Sequence, residues 1–267
     1  MRIARTGVIV GLCMAVGLTA FKLYPVVKHK IGSSEKVDLI SYRYPFSRHI
    51  IDRQSPSNPW AKAIGDFDGD GVGDLIVAGS HGPLAMYRSG EKDKTVISSI
   101  DSYHTQSGIA LGDIDNDGDV DIAFGDVWLE NPRPKGDIAA VWPLHSIGAG
   151  ATNHDIELAD LNKDGNLDII MRGESNSLVT ILIHDPSGFW SIKTLEPGVG
   201  RNGLAVKDLN GDTFPDIIVP GVWLENPHGN VLTKEWKTHS FGSWNEYAAI
   251  DTGDIDGDGR PDIVMSV

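Results

Sequence analysis

The sequence has almost no cysteine. Its single thiol, Cys13, lies in an N-terminal apolar stretch, so the rest of the chain can form no internal disulfide and no thiolate metal site. That permits an oxidising compartment without requiring one. Basic charge is scarce too: 23 Lys and Arg stand against 37 Asp and Glu, for a net charge of −14. Phosphate backbones are bound by clustered Lys and Arg, so a nucleic-acid partner is excluded. Beyond the N-terminus, no longer window carries helical apolar periodicity. This argues against helical solenoids, and against EF-hands, which need a helix on each side of the loop. Nucleophile motifs, phosphate-cradling glycine loops and His metal clusters are also missing.

What is present begins with an export or anchoring segment. Arg2 and Arg5 form a basic start, and Gly7 to Phe21 then runs without a charge. As a helix that run spans roughly 22 Å, short of a ~30 Å hydrocarbon core, and continuation past a snorkelling Lys22 to Val27 makes it long enough. Cleavage after Ala20 would put the bulky Leu18 at −3, and Leu12 is a poor residue before a lipidated Cys13. The segment reads as an uncleaved anchor or a cleaved signal peptide. The expected organisation is residues 1–30 as this segment and its linker, and residues 31–267 as one large all-β domain.

Five segments of the domain align. They are Asp66-Phe-Asp-Gly-Asp-Gly-Val-Gly-Asp74, Asp113-Ile-Asp-Asn-Asp-Gly-Asp-Val-Asp121, Asp160-Leu-Asn-Lys-Asp-Gly-Asn-Leu-Asp168, Asp208-Leu-Asn-Gly-Asp-Thr-Phe-Pro-Asp216 and Asp254-Ile-Asp-Gly-Asp-Gly-Arg-Pro-Asp262. Their first Asp residues are 47, 47, 48 and 46 positions apart. A short apolar stretch precedes each loop and a β-branched run follows it, such as Leu75-Ile-Val or Ile169-Ile-Met. Val127-Trp-Leu-Glu-Asn-Pro132 recurs as Val222 to Pro227 and reads as a third strand ending in a turn. A fourth strand is expected at Val141–Ile147, Phe189–Leu195 and Glu235–Phe241. Strand, loop and three further strands per repeat describe a four-stranded propeller blade. Asp38–Tyr44 and Phe46–Asp52 resemble the third and fourth strands missing from the last repeat. The expectation is therefore a β-propeller with five repeats, either a closed five-bladed ring or a truncated propeller of more blades.

Each loop offers oxygen at positions 1, 3, 5 and 9, plus the carbonyl of position 7. Ca²⁺ takes six to eight such ligands in forgiving geometry. The expected ligands are Asp66, Asp68, Asp70, Val72 and Asp74; Asp113, Asp115, Asp117, Asp119 and Asp121; Asp160, Asn162, Asp164, Asn166 and Asp168; Asp208, Asn210, Asp212, Phe214 and Asp216; and Asp254, Asp256, Asp258, Arg260 and Asp262. Glycine at position 6 suits the sharp turn, and Thr213 breaks that pattern in the fourth loop. Five divalent ions would take the net charge from −14 to −4. Their expected role is structural, with folding coupled to metal.

The five Asp loops, their trailing apolar strands and Phe124-Gly125 resemble the FG-GAP/VCBS repeat family, found in integrin α-chain heads and many bacterial surface proteins. The resemblance covers residues 38–267. It implies calcium binding, an extracytoplasmic or surface location, and adhesion or carbohydrate recognition. Family propellers usually have seven blades. The paired Trp-Leu-Glu-Asn-Pro segments also resemble propellers fused to sugar-processing enzymes.

Propeller ligands generally sit at one mouth of the central channel, in the loops leading into the innermost strands. Here His154, Arg201, Asn202, Trp244 and Glu246 are the expected ligand residues, since amide, carboxylate, guanidinium and indole groups suit sugars. The leading reading is a binding module for a glycan or a cell-surface protein, touching membrane only through the N-terminal segment. A polysaccharide lyase using His154, Arg201 or Glu246 is one alternative. An envelope scaffold is another.

Overall fold

The computed structural model describes residues 50–53, 59–79, 83–100, 108–148, 153–173, 177–185, 187–199, 202–243 and 248–266. The N-terminal segment and the strand expected at Asp38–Tyr44 lie outside them. Of Phe46–Asp52, the described Ile50 to Asp52 are not strand. The Asp52 carboxylate instead accepts hydrogen bonds from Tyr87 and Lys94. Among the described residues no helix is long and apolar enough to cross a membrane.

Every described element is a strand. The first blade holds β1 (Pro59–Gly65), β2 (Asp74–Gly79), β3 (Leu84–Tyr87) and β4 (Thr95–Ser98). The second holds β5 (Ile109–Gly112), β6 (Asp121–Phe124), β7 (Val127–Leu129) and β8 (Leu144–Ser146). The third holds β9 (Asn153–Ala159), β10 (Asp168–Gly173), β11 (Val179–His184) and β12 (Trp190–Leu195). The fourth holds β13 (Ala205–Lys207), β14 (Asp216–Val219), β15 (Val222–Glu225) and β16 (Lys237–Ser240). A half blade follows, β17 (Ala249–Gly253) and β18 (Asp262–Ser266). Each blade is an antiparallel meander, and the innermost strands β1, β5, β9, β13 and β17 lie successively side by side. The fold is that of β-propeller blades. Among the described residues they do not close into a ring.

The second strand of each four-stranded blade carries a short apolar run because both of its faces are covered. Alternate residues go to opposite neighbours. Ile169 and Met171 of β10 pack with Trp128 and Ile147 against the second blade, while Ile170 packs with Ile217 and Leu224 against the fourth. Ile122 and Phe124 of β6 face the first blade and Ala123 the third. Loop position 2 plugs the interface to the following blade: Phe67, Ile114 and Leu161 are fully buried. Ile255 holds the same position in the half blade and is 59% exposed, because no following blade covers it among the described residues. Trp128, Trp142 and Trp236 are core residues. Trp223 is only half-buried.

On the innermost strand β9, Glu157 is recessed beside Asp155 and Asp251. Burial, then those two charges, push its carboxyl up to about 7. A carboxyl raised above its unfolded value stabilises the fold below about pH 4.5, and that contribution is lost as pH rises through 7. With the loops saturated with cation, Glu157→Gln is expected to remove about 1–2 kcal/mol of this pH-dependent loss. Urea unfolding at pH 5 and pH 8 measures it, and an unchanged difference between the two would refute it.

Candidate metal centres and recognition surface

Each acidic loop joins the first and second strands of its blade, and one hydrogen-bond scheme recurs in all five. The position 1 carboxylate accepts from the backbone N–H groups of positions 5 and 6. In the first loop these bonds run from Asp70 (3.1 Å) and Gly71 (2.9 Å) to Asp66. The other loops repeat them on Asp113, Asp160, Asp208 and Asp254. Position 3 accepts from the N–H of position 5, and position 5 from that of position 7, as at Asp68 (3.2 Å) and Asp70 (2.7 Å). These short side-chain-to-backbone bonds wind the chain into a cradle with its carboxylates turned inward.

The winding needs left-handed backbone at two places. Position 6 has a positive φ in every loop, from 81° at Thr213 to 96° at Gly118. Position 4 has one as well, at Gly69, Asn116, Lys163, Gly211 and Gly257. The sequence reading expected the first and missed the second. Thr213 keeps the loop geometry despite its branched side chain: its N–H reaches Asp208 at 2.7 Å. A β-branched residue there costs about 1–2 kcal/mol of backbone strain. Thr213→Gly is accordingly expected to raise the thermal midpoint by about 2–4 °C. A lower midpoint would contradict this.

Position 9 has a second job. Asp121 takes the Ile114 N–H on one oxygen and the Asn131 N–H on the other, both at 2.8 Å. Asp168 bridges Leu161 and His184 likewise, and Asp216 bridges Leu209 and Asn226. Each of these carboxylates therefore ties its loop to the end of the third strand or the turn beyond it. Burial, partly offset by those N–H groups, pushes Asp121 and Asp168 up to about 7 and Asp216 to about 6, and neighbouring loop carboxylates add to the rise.

Three loops place carboxylate oxygens of three residues within 4.8 Å of one another: Asp66, Asp68 and Asp70; Asp113, Asp115 and Asp121; Asp254, Asp256 and Asp262. In the third and fourth loops an amide replaces the position 3 carboxylate. Asn162 donates to Asp164 at 2.8 Å, and Asn210 donates to Asp212 at 3.0 Å. The donors are all oxygen and mostly anionic, the set a hard divalent cation takes. These acidic clusters fit a metal ion.

Sequence reasoning read Asn131 and Asn226 only as turn residues. Both are buried clasps between blades. The Asn131 amide donates to the carbonyls of Phe67 (3.0 Å) and Val120 (3.2 Å), and Asn226 donates to Leu161 and Pro215, both at 2.9 Å. One carbonyl of each pair belongs to the preceding blade. The preceding Glu is also occupied: Glu130 meets His145 at 2.7 Å and Glu225 meets His239 at 2.5 Å. Those imidazoles stack on the Trp opposite them, Trp128 at 4.2 Å and Trp223 at 4.0 Å between ring centres. The third blade exchanges the two residue types, with His184 on β11 stacked on Trp190 of β12 at 4.3 Å.

At the mouth, Arg201, Trp244 and Glu246 lie outside the described residues. Strand alternation predicts that His154 and Asp155 diverge, but their side chains meet at 3.1 Å. A bulge opposite Arg172 and Gly173 interrupts the alternation there. Asp155 also accepts the Gly203 N–H at 2.8 Å, while Arg172 donates to the carbonyls of Gly203 (2.9 Å) and Val199 (2.6 Å). The pair thus anchors the chain leading into β13. Asn202 is 5% exposed, and its Oδ1 has no hydrogen-bond partner among the described residues.

Successive four-stranded blades with an acidic loop between their first two strands define an acidic-loop type of propeller repeat protein. The FG-GAP-like repeat profile matches residues 66–124 and 160–219, so these segments are FG-GAP-like repeats. Its curated relatives include integrin alpha pat-2 of Caenorhabditis briggsae, 30% identical over 74% of this chain and 21% of the relative. The Caenorhabditis elegans protein of that name is 27% identical over 75% and 21%. The chain thus spans about a fifth of the curated relatives it matches. Among solved structures, the Vibrio cholerae biofilm matrix protein Bap1 is 18% identical, with a TM-score of 0.46 over 83% of this chain and 37% of that one.

Proposed function

We propose that the chain is an extracytoplasmic recognition module whose blades are held by structural Ca²⁺, about one per loop, and which binds a glycan or a cell-surface protein. The recurrent cradle of converging carboxylates supports it most directly. Asp, Asn and carbonyl oxygens at positions 1, 3, 5, 7 and 9 would hold the ion, and Ca²⁺ is favoured over Mg²⁺ by the number of protein carboxylates. A bound divalent charge would offset the repulsion within each loop and reverse the upward shifts at position 9. Loops of this class work where calcium is high, which supports an extracytoplasmic location. Similarity to integrin α chains supports an adhesive role.

The test is binding of the full chain to a glycan array and to candidate surface proteins in millimolar Ca²⁺, with product analysis on every hit. Calcium-dependent retention without product is expected. Turnover of a uronate polymer would overturn the binding reading in favour of a lyase, and stable capture by protein alone would favour a scaffold.

A further inference from the structure

A hollow of about 650 Å³ opens between the second and third blades on the face that carries the acidic loops. Antiparallel strands put the loops into the innermost strands on the opposite face, so this hollow is separate from the mouth. Its size falls in the roughly 300–1,000 Å³ range of small-ligand sites. Two aromatic stacks border it, one from each blade. Trp128 lies against His145 with ring planes 15° apart, and Trp190 lies against His184 at 13°. Both stacks are cross-strand pairs fixed by sheet register, Trp128 opposite His145 and His184 opposite Trp190. The polar groups come from the second and third loops: Asp115, Asn116 and Asn166, with the Asn116 amide donating to Asn166 at 2.8 Å.

None of the residues lining the hollow is Lys or Arg. An anionic ligand would meet the Asp115 carboxylate with no Lys or Arg beside it. Flat aromatic surface suits the C–H face of a pyranose ring, while exposed amide and carboxylate oxygens suit its hydroxyls. A purely apolar ligand would leave those polar groups desolvated and unpaired.

We propose that this hollow binds an uncharged pyranose of a glycan, held against the Trp and His rings and hydrogen-bonded by Asn116, Asn166 and Asp115. The proposal deepens the recognition reading and rests on it only for the choice of a glycan as ligand class.

The test titrates the full chain in millimolar Ca²⁺ with neutral methyl pyranosides and neutral oligosaccharides, followed by tryptophan fluorescence and calorimetry. Uronates and an alkylamine are titrated in parallel. Saturable binding of a neutral sugar is expected, weakened at least tenfold by Trp190→Ala and several-fold by Asn116→Gly. The glycine variant keeps the left-handed backbone at position 4 (φ 62° at Asn116), so an unchanged melting curve shows that it remains folded. Glycan binding that neither substitution weakens would overturn this site and leave recognition elsewhere intact. Preference for the amine or a uronate, or no neutral sugar bound at all, would also overturn it.

Discussion

Excess EGTA is expected to lower the thermal midpoint of the calcium-loaded chain by roughly 10 °C or more, with full recovery on adding Ca²⁺ back. Loops of the extracellular class bind with dissociation constants of about 10⁻⁴–10⁻³ M, so about 2 mM Ca²⁺ contributes about 0.7–1.8 kcal/mol per site. Five sites give roughly 3–9 kcal/mol, and each kcal/mol moves the midpoint of a domain this size by about 2–4 °C. Removing the ion also leaves Asp66, Asp68 and Asp70, and the matching clusters in the second and fifth loops, with like charges inside 4.8 Å. The hydrogen bonds within the loops oppose that repulsion, so the strands should persist in the chelated protein at low temperature. Calorimetric scans in 2 mM Ca²⁺, 2 mM Mg²⁺ and EGTA decide the matter. A midpoint that moves by less than about 2 °C between Ca²⁺ and EGTA would refute structural calcium.

Much of the architecture was legible because the repeat carries it. Five Asp registers about 47 residues apart place the hairpins, and runs such as Ile169-Ile-Met mark strands covered on both faces. What could not be read was how one repeat meets the next. Asn131 and Asn226 are spelled as Asn-Pro turns, and only the packed blades bring their amides to Phe67 and Leu161. The left-handed residue at position 4 was hidden because Asn116 and Lys163 adopt it as well as glycine does. His154 and Asp155 defeated simple alternation because the bulge beside them leaves no local signature.

The candidate sites divide along the same line. The loop ligands form a local pattern, closed within nine residues, so spacing alone exposes them. A ligand surface assembled from two blades has no such pattern. Trp128, His145 and Trp190 fall on strands expected from the sequence, and the exchange of His and Trp between strands in the third blade conceals their equivalence. The mouth residues were inferred from where propellers place ligands. Of those, the structure positions His154 and Asn202, and both serve or border the packing of the chain into β13.

Asn226→Ala is expected to cost about 3 kcal/mol, a midpoint fall of about 6–12 °C, without loss of the loop beside it. The side chain is 1% exposed. Its amide satisfies the Leu161 and Pro215 carbonyls, and its oxygen accepts the Gly229 N–H at 2.9 Å. Alanine leaves three polar groups short of a partner, each worth about 1–3 kcal/mol if sealed from water, with partial hydration bringing the sum down. The backbone N–H that holds Asp216 at 2.8 Å survives the change, so calcium affinity should hold while stability falls. Asn230→Ala is the control, since its exposed amide makes longer contacts of 3.4 and 3.2 Å and should cost under about 0.5 kcal/mol. Asn131→Ala should repeat the Asn226 loss at the boundary between the first and second blades. Because the two clasps lie at different boundaries, the double variant should show additive losses within about 0.5 kcal/mol. Equal melting of the Asn226 and Asn230 variants would show that apolar packing alone holds the blades together. A calcium affinity that falls along with stability would instead place Asn226 within the metal loop's own support.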